Sequence, residues 1–499
     1  MKAAKHGRKL GVIGVALAVT LGLIATSAPA NAASADATIN IGSLYEPQNL
    51  DNTGGGGQGV VEALNGNVYE GLYRLTDAGQ VENVLATSSK ISKDGLTYTF
   101  TLRSGVTFHS GKAMTSADVK FSLEKVSATD SKSARKSSFK VVKSIATPDA
   151  KTVVVTLSSR SISFIYNLSY IWIMNSTAKD FAAAADGTGP YKFSAWKRGS
   201  TLTLVRNDSY WGAAPKNKTV VYHYFNDATA LNNALLTGAV DVITSAQSPD
   251  ALAQFKSSAY KISNGQSTTK LLLVFNDRVA PFNNKLVRKA VTSAINNAKL
   301  LASIWGDYGT LIGSMVPPTD PWYEDLTGVN PYDLTLAKKE LAAAGYGKGF
   351  TFRLDTPTYD PHPAAAAFIK SELAKVGITV NINSVTDDQW YNNVYKKHDF
   401  AATMQEHVND RDVVWYGNPD FYWGYNNASV TGLINQAEQA PNARIQASLL
   451  KRANRIIATE AASDWIYLYP QIVVASSTLS GYPINGLNSQ FYAYNIVKG

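Results

Sequence analysis

Apolar and polar residues alternate from Thr38 to Leu44, the first stretch of the chain that reads as a strand. Val60 to Leu72 (VVEALNGNVYEGL) switches to helical spacing, and Leu96 to Leu102 (LTYTFTL) alternates again. Thr115, Asp118 and Val119 open a helix with a capping-box pattern. Val141 to Leu157 predicts a hairpin turning near Pro148-Asp149. Tyr191–Trp196 and Thr201–Val205 predict a second hairpin across Lys197-Arg198-Gly199, closed by Asn207, Asp208, Tyr210, Trp211 and Gly212. A strand at Val220–Phe225, a helix from Asp227 to Thr237 stopped by Gly238, and a short buried strand at Ala239–Ile243 complete the first half.

The apolar run that starts at Leu271 (LLLVFND) opens a second region. Lys285 to Leu301 places Leu286, Val287, Ala290, Val291, Ala294 and Ile295 at the spacing of one long helix. Leu334–Ala344 reads as a helix with Gly345 as its stop. Strand Phe350–Leu354, helix Ala364–Val376 ended by Gly377, and strand Ile378–Val385 stand in βαβ order, which predicts a largely parallel sheet. There follow a helix over Asp387–Tyr395, a strand over Phe400–Met404 and an irregular, aromatic-rich stretch from Gln405 to Tyr425. Helices at Val430–Ala437 and Ala443–Thr459 precede an apolar strand, Trp465–Ser476.

With 499 residues, 45% of them hydrophobic, the chain can bury a large core and is expected to form more than one lobe. Lys2, Lys5, Arg8 and Lys9 precede an apolar run from Leu10 to Ala25, and small-x-small sites follow at Ala28-Pro29-Ala30 and Ala30-Asn31-Ala32. Residues 1–32 therefore read as a secretory signal peptide, and the protein is expected to be exported, periplasmic or secreted and envelope-associated. There is no cysteine, which excludes disulfides, zinc thiolates, thiol nucleophiles and a lipid-bearing cysteine. The formal charge of +9 becomes +5 without the four basic residues of the signal segment. Eight basic residues between Lys112 and Lys143 read as a solvated face, and no motif points to nucleic acid. Gly54 to Gly59 spells G-x-G-x-x-G but does not directly follow a strand, so a loop bordering a cleft is expected there rather than a dinucleotide site.

Thr188-Gly189-Pro190-Tyr191, the hairpin behind it, Arg206-Asn207 and Tyr210-Trp211 resemble the signature of the peptide/nickel-type (oligopeptide- and dipeptide-binding, family 5) extracellular solute-binding proteins of ABC importers. Leu96–Leu123, Gly238-Ala239-Val240-Asp241-Val242 and Asn276–Trp322 are similar to the same family. The resemblance implies an α/β, two-lobed fold of the periplasmic-binding-protein type II kind. Lobe I would span 33–270, with an extra subdomain at about 60–180, lobe II 271–464, and 465–499 would return to lobe I. It also implies a monomeric binding protein without catalysis, cofactor or metal. Such a protein takes a peptide or other small-molecule ligand and hands it to an ABC permease in the cytoplasmic membrane.

Two segments fall at the family's cleft. One is Tyr45 to Asn49, which supplies Tyr45, Glu46 and Asn49. The other is the Gln405–Tyr425 stretch, where peptide-binding relatives carry an aspartate that pairs with the ligand's amine. Asn409 or Asp410 falls at that position, with His407 where relatives have tryptophan. An arginine that grips the ligand carboxylate in some relatives has no counterpart in Pro363 to Ala367, which weakens a free dipeptide as ligand. Trp415 and Trp423 belong to an aromatic cluster suited to a ligand wall or to a core. The aromatics leave an oligosaccharide open as the alternative ligand. An exported hydrolase is the distant alternative, but G-x-S-x-G and H-E-x-x-H are both missing.

Overall fold

The computed structural model describes residues 37–499 apart from Gly56 and Ser248, so the expected signal segment lies outside the described residues. Two large sheets divide the strands. The first has seven, in the order Tyr260–Gly265, Gln471–Ser476, Val242–Ile243, Thr38–Ser43, Thr219–Tyr224, Thr201–Arg206, Tyr191–Lys197. Thr38–Ser43 runs parallel to both neighbours. A four-stranded antiparallel sheet (Ala86–Ile91, Thr97–Leu102, Thr152–Leu157, Val142–Asp149) builds a separate core with the helix Ser116–Ser127. That helix starts as its sequence predicts, with the Thr115 amide donating to Asp118 Oδ2 at 2.9 Å.

The other large sheet has six strands, in the order Thr310–Leu311, Ser463–Leu468, Lys270–Phe275, Ala402–His407, Thr351–Pro357, Thr379–Val385. Only the Thr351–Pro357 strand pairs in parallel, with Thr379–Val385 and Ala402–His407. The remaining pairs are antiparallel. The expected largely parallel sheet is thus a mixed one, because Lys270–Phe275 runs antiparallel to both of its neighbours. Lys270–Phe275 is buried throughout. Leu271, Leu273 and Phe275 enter one core and Leu272 and Val274 another, which is why this strand shows a continuous apolar run.

Four elements depart from the pattern read in the sequence. The helix expected to reach Leu72 spans Gly57–Leu64. It stops because Gly66 turns at φ +70°, where any Cβ would meet the Tyr492 ring at 2.5 Å. The long helix after Lys285 is two, Lys285–Ala294 and Asn297–Trp305. Ile295 is extended, and the Asn296 side chain caps the second helix by accepting from the Lys299 amide at 2.9 Å. Asp387–Gln389 begins as α-helix and widens into a π-helix over Trp390–Lys396. The last apolar run is also two strands, Ser463–Leu468 in one large sheet and Gln471–Ser476 in the other. Tyr469-Pro470 lies between them, and proline has no amide hydrogen with which to continue a ladder.

Among the described residues the chain passes between the two large sheets twice, at 266–269 and at 469–470. The two connectors touch, the Tyr469 amide donating to the Thr269 carbonyl at 2.9 Å. No helix among the described residues is long and apolar enough to cross a membrane.

Helix Gly57–Leu64 buries Glu62 beneath this region. The Thr244 hydroxyl donates to Glu62 Oε2 at 3.2 Å, whereas Oε1 has no partner. Burial pushes the carboxyl up to about 7, against the opposing hydrogen bonds of Ser43 and Thr244. A carboxyl raised on folding adds stability below its unfolded pKa, and that contribution is lost as pH rises through about 7.

Two measurements check these points. Leu272→Ala should destabilise by about 2–5 kcal/mol in urea unfolding, because the cavity opens inside a strand packed on both faces. A loss below about 1 kcal/mol would contradict that packing. Glu62→Gln should match the wild type near pH 4 and exceed it at pH 8 by on the order of 2–3 kcal/mol. Equal thermal stability across that range would mean that Glu62 titrates normally.

Candidate functional site

Two of the cavities between the lobes hold residues expected at the cleft. The first, about 250 Å³, sits over the connectors. Tyr45, Gln58 and Gln247 form its wall on the seven-stranded side, and Tyr359, Glu406 and Val408 form the facing wall. Thr269 and Tyr469-Pro470-Gln471 underlie it. Tyr45 arrives there because it follows directly on the strand Thr38–Ser43 and Leu44. Glu406 arrives by strand alternation, since Ala402–His407 sends Glu406 to the cleft and His407 to the opposite face.

The polar groups of this cavity are few and specifically held. The Tyr45 hydroxyl accepts from Gln247 Nε2 at 3.2 Å. Burial, and then the charges of Glu406 and Glu62, push the Tyr45 pKa up. The Tyr469 hydroxyl donates to Glu406 Oε1 at 2.7 Å. Burial raises the Glu406 pKa, the Tyr469 hydrogen bond opposes it, and Asp387 adds a further upward push.

The second cavity, about 410 Å³, lies between the four-stranded subdomain and the six-stranded lobe. Arg135, Tyr166, Trp322, Asp410, Trp415 and Glu438 are among its lining. Asp410 is held from across the interface, accepting hydrogen bonds from the Tyr166 hydroxyl and, at 3.1 Å, from Tyr170. Arg135 lies over the Tyr170 ring at 3.6 Å and 4.0 Å from Asp410 Oδ1, and Arg411 lies over the Tyr166 ring at 3.2 Å. Ser163 Oγ donates to Glu438 Oε2 at 2.7 Å, adding a second tie between the lobes.

A buried network fixes the loop that carries Asp410. Lys270, fully buried, donates to the Asn409 carbonyl and stands 3.5 Å from Asp412 Oδ2. His407 Nδ1 is also 3.5 Å from that oxygen. Burial would raise the Asp412 carboxyl, but Lys270 and then His407 outweigh it, so its pKa falls below the ordinary value. Arg411 adopts the left-handed region at φ 58°, and its amide donates to Asp320 Oδ2 at 3.0 Å. Burial and then the Asp410 charge push Asp320 up.

Of the residues expected at the cleft, Tyr45 lines the first cavity, and Asp410 and Trp415 line the second. Asn409 is beside them but meets Lys270 through its carbonyl. Four others are engaged elsewhere. Glu46 accepts from Trp196 Nε1 at 2.8 Å and from the Gly199 amide at 2.9 Å, which ties it to the hairpin turn of lobe I. Asn49 donates to the Gly55 carbonyl at 2.6 Å and accepts from the Asp51 amide at 2.7 Å, and so shapes its own loop. His407 packs inward, its Nε2 3.0 Å from the Tyr422 hydroxyl. Trp423 is 0% exposed and stacked on Tyr416 at 4.3 Å between centroids, a core residue of lobe II.

Sequence reasoning missed Arg135, Tyr166, Tyr170, Tyr359 and Glu406. The signal for Glu406 was present, since alternation continued two residues past Met404 would have put it on the cleft face. Arg135 was hidden in the basic stretch read as solvated, yet its side chain is only 16% exposed. Among the described residues no cluster of three or more His, Asp or Glu side chains is placed to hold a metal ion.

Residues 80–429 match the family described as bacterial extracellular solute-binding proteins, family 5 Middle. The glutathione-binding protein GsiB of Pectobacterium atrosepticum is 29% identical over 394 residues, covering 75% of this chain and 73% of that protein. The fold is similar to that of DppA from Helicobacter pylori in complex with the peptide STSA. That likeness has a TM-score of 0.78 at 24% identity and covers 93% of this chain and 98% of the other. AppA from Bacillus subtilis, in complex with a nonapeptide, gives a TM-score of 0.79 at 21% identity, covering 94% of this chain and all of that one. With two lobes joined by paired connectors, and a family match across well over half its length, the chain belongs to the family 5 bacterial extracellular solute-binding proteins of ABC importers.

Proposed function

We propose that the chain captures a peptide-like solute between its lobes and delivers it to the permease of its importer. The observation that carries this reading is the polar cavity of about 250 Å³, whose two walls come from different lobes and whose floor is the pair of connectors. Rotation at the connectors would expose this cavity, and closure would bury its contents among tyrosine rings and fixed hydrogen-bonding groups. Peptide-like chemistry is favoured by the relatives, whose names and titles give glutathione, the peptide STSA and a nonapeptide as what those proteins bind.

An oligosaccharide is the second reading. It rests on Trp415, a half-buried ring stacked on Phe421 at 5.0 Å that lines the larger cavity. A thermal-shift series against di- to pentapeptides, cello- and xylo-oligosaccharides separates the two. Peptides should raise the melting temperature, with about 2.7 kcal/mol of stabilisation at a hundredfold excess over the dissociation constant. A shift with sugars alone, lost in Trp415→Ala, would overturn the peptide reading and leave the importer role in place.

A further inference from the structure

Resemblance puts Asn409 or Asp410 where peptide-binding relatives pair an aspartate with the ligand's amine, and of the two only Asp410 is acidic, with its surroundings already filled. Tyr166 and Tyr170 donate to it, and the guanidinium groups of Arg135 and Arg411 cover those same two rings. An ammonium group brought to this point would meet two cations and displace two hydrogen bonds.

The cavity above the connectors has the opposite character. Glu406 lies in its wall and Asp360 at its edge, and among the described lining residues there is neither lysine nor arginine. Asp387 adds a further negative charge near Glu406. His362 Nε2 lies 3.8 Å from Glu406 Oε1 but brings no positive charge. Burial lowers its pKa to about 4, and its Nδ1 lies 3.2 Å from the Tyr359 carbonyl. Nε2 is buried and has no hydrogen-bond partner among the described residues. Tyrosines 45, 359 and 469 line the same cavity, and of these only Tyr469 donates to the carboxylate.

We propose that the solute carries a cationic nitrogen, an ammonium or guanidinium group, and that Glu406 receives it in the cavity over the connectors. The carboxylate supplies a countercharge within the cavity wall, with Asp360 at the edge, and the tyrosine rings desolvate the cation without repelling it. Glu406 is thus a specificity-determining residue, and recognition of the charged nitrogen has moved from the loop at Asp410 to the strand before it. This inference rests on the solute-binding reading, but not on the ligand being a peptide.

Isothermal titration calorimetry of the full-length chain tests it with matched probes. The neutral probe is N-acetyl-Ala-citrulline-Ala amide; its cationic counterparts are Ala-citrulline-Ala amide and N-acetyl-Ala-Arg-Ala amide. A sugar pair, the glucosamine disaccharide and its di-N-acetyl form, extends the comparison to the other ligand class. At least one cationic probe should bind about ten- to a hundredfold more tightly than its neutral counterpart. Glu406→Gln should bring that ratio close to one, and Asp410→Asn should preserve it. Equal binding of charged and neutral probes by the wild type would overturn the proposal, without recourse to any variant. Loss of the ratio in Asp410→Asn but not in Glu406→Gln, or no binding by any cationic probe, would overturn it as well. Binding confined to the sugar pair would sink the peptide reading alone, and the charged-to-neutral ratio within that pair would still judge Glu406.

Discussion

The cleft depends on one constraint, the double passage of the chain between its large sheets at 266–269 and 469–470. Two short connectors, tied by the hydrogen bond from Tyr469 to Thr269, restrict the lobes to rotation about a narrow line. A single apolar core runs beneath that line, joining Ile472 and Val474 from one sheet to Leu271, Leu273 and Ile466 from the other. Residues of the connectors, Thr269 and Tyr469-Pro470, are also residues of the cavity floor.

Farther from the connectors the lobes meet through charge. Lys270 holds Asn409 and Asp412 from within lobe II, and Asp410 is thereby presented to Tyr166 and Tyr170 of the subdomain. Desolvating such groups is expensive, and their mutual attraction offsets that only when every partner is in place. The arrangement therefore favours a well-defined closed geometry more than it favours tight association of the lobes. Arg411, held in the left-handed region, is the backbone feature that turns successive side chains, Asp410 and Asp412, toward different partners.

Much of this was legible in the sequence, and the exceptions have physical causes. Alternation located the hairpins, and the βαβ order located the Thr351–Val385 unit, because each follows from residues close together in the chain. The mixed character of the six-stranded sheet was not legible, since strand direction there is set by the two passages from the other lobe. Resemblance supplied the neighbourhood of Tyr45 and Asp410, and each lines a cavity between the lobes. Trp423 and His407 were misplaced for a different reason. Both are aromatic residues close to the cleft in sequence, and only strand phase and packing separate an inward ring from one that faces a ligand. The interlobe partners Tyr166, Tyr170 and Arg135 lie more than two hundred residues from Asp410, beyond any local pattern.

The order of strands in the seven-stranded sheet carries a consequence for how the molecule is made. Gln471–Ser476 is inserted between Tyr260–Gly265 and Val242–Ile243, so the strand at Tyr260 has no other neighbour in the sheet. A ribosome delivers these segments in chain order, and more than two hundred residues separate the edge strand from the one that docks it. The first lobe consequently waits with an open gap while the whole of the second is synthesised. Closing that gap is a late event of high contact order. A polypeptide built this way leaves its first sheet incomplete until Gln471–Ser476 emerges, which is the condition in which a chain can still be threaded through a narrow channel.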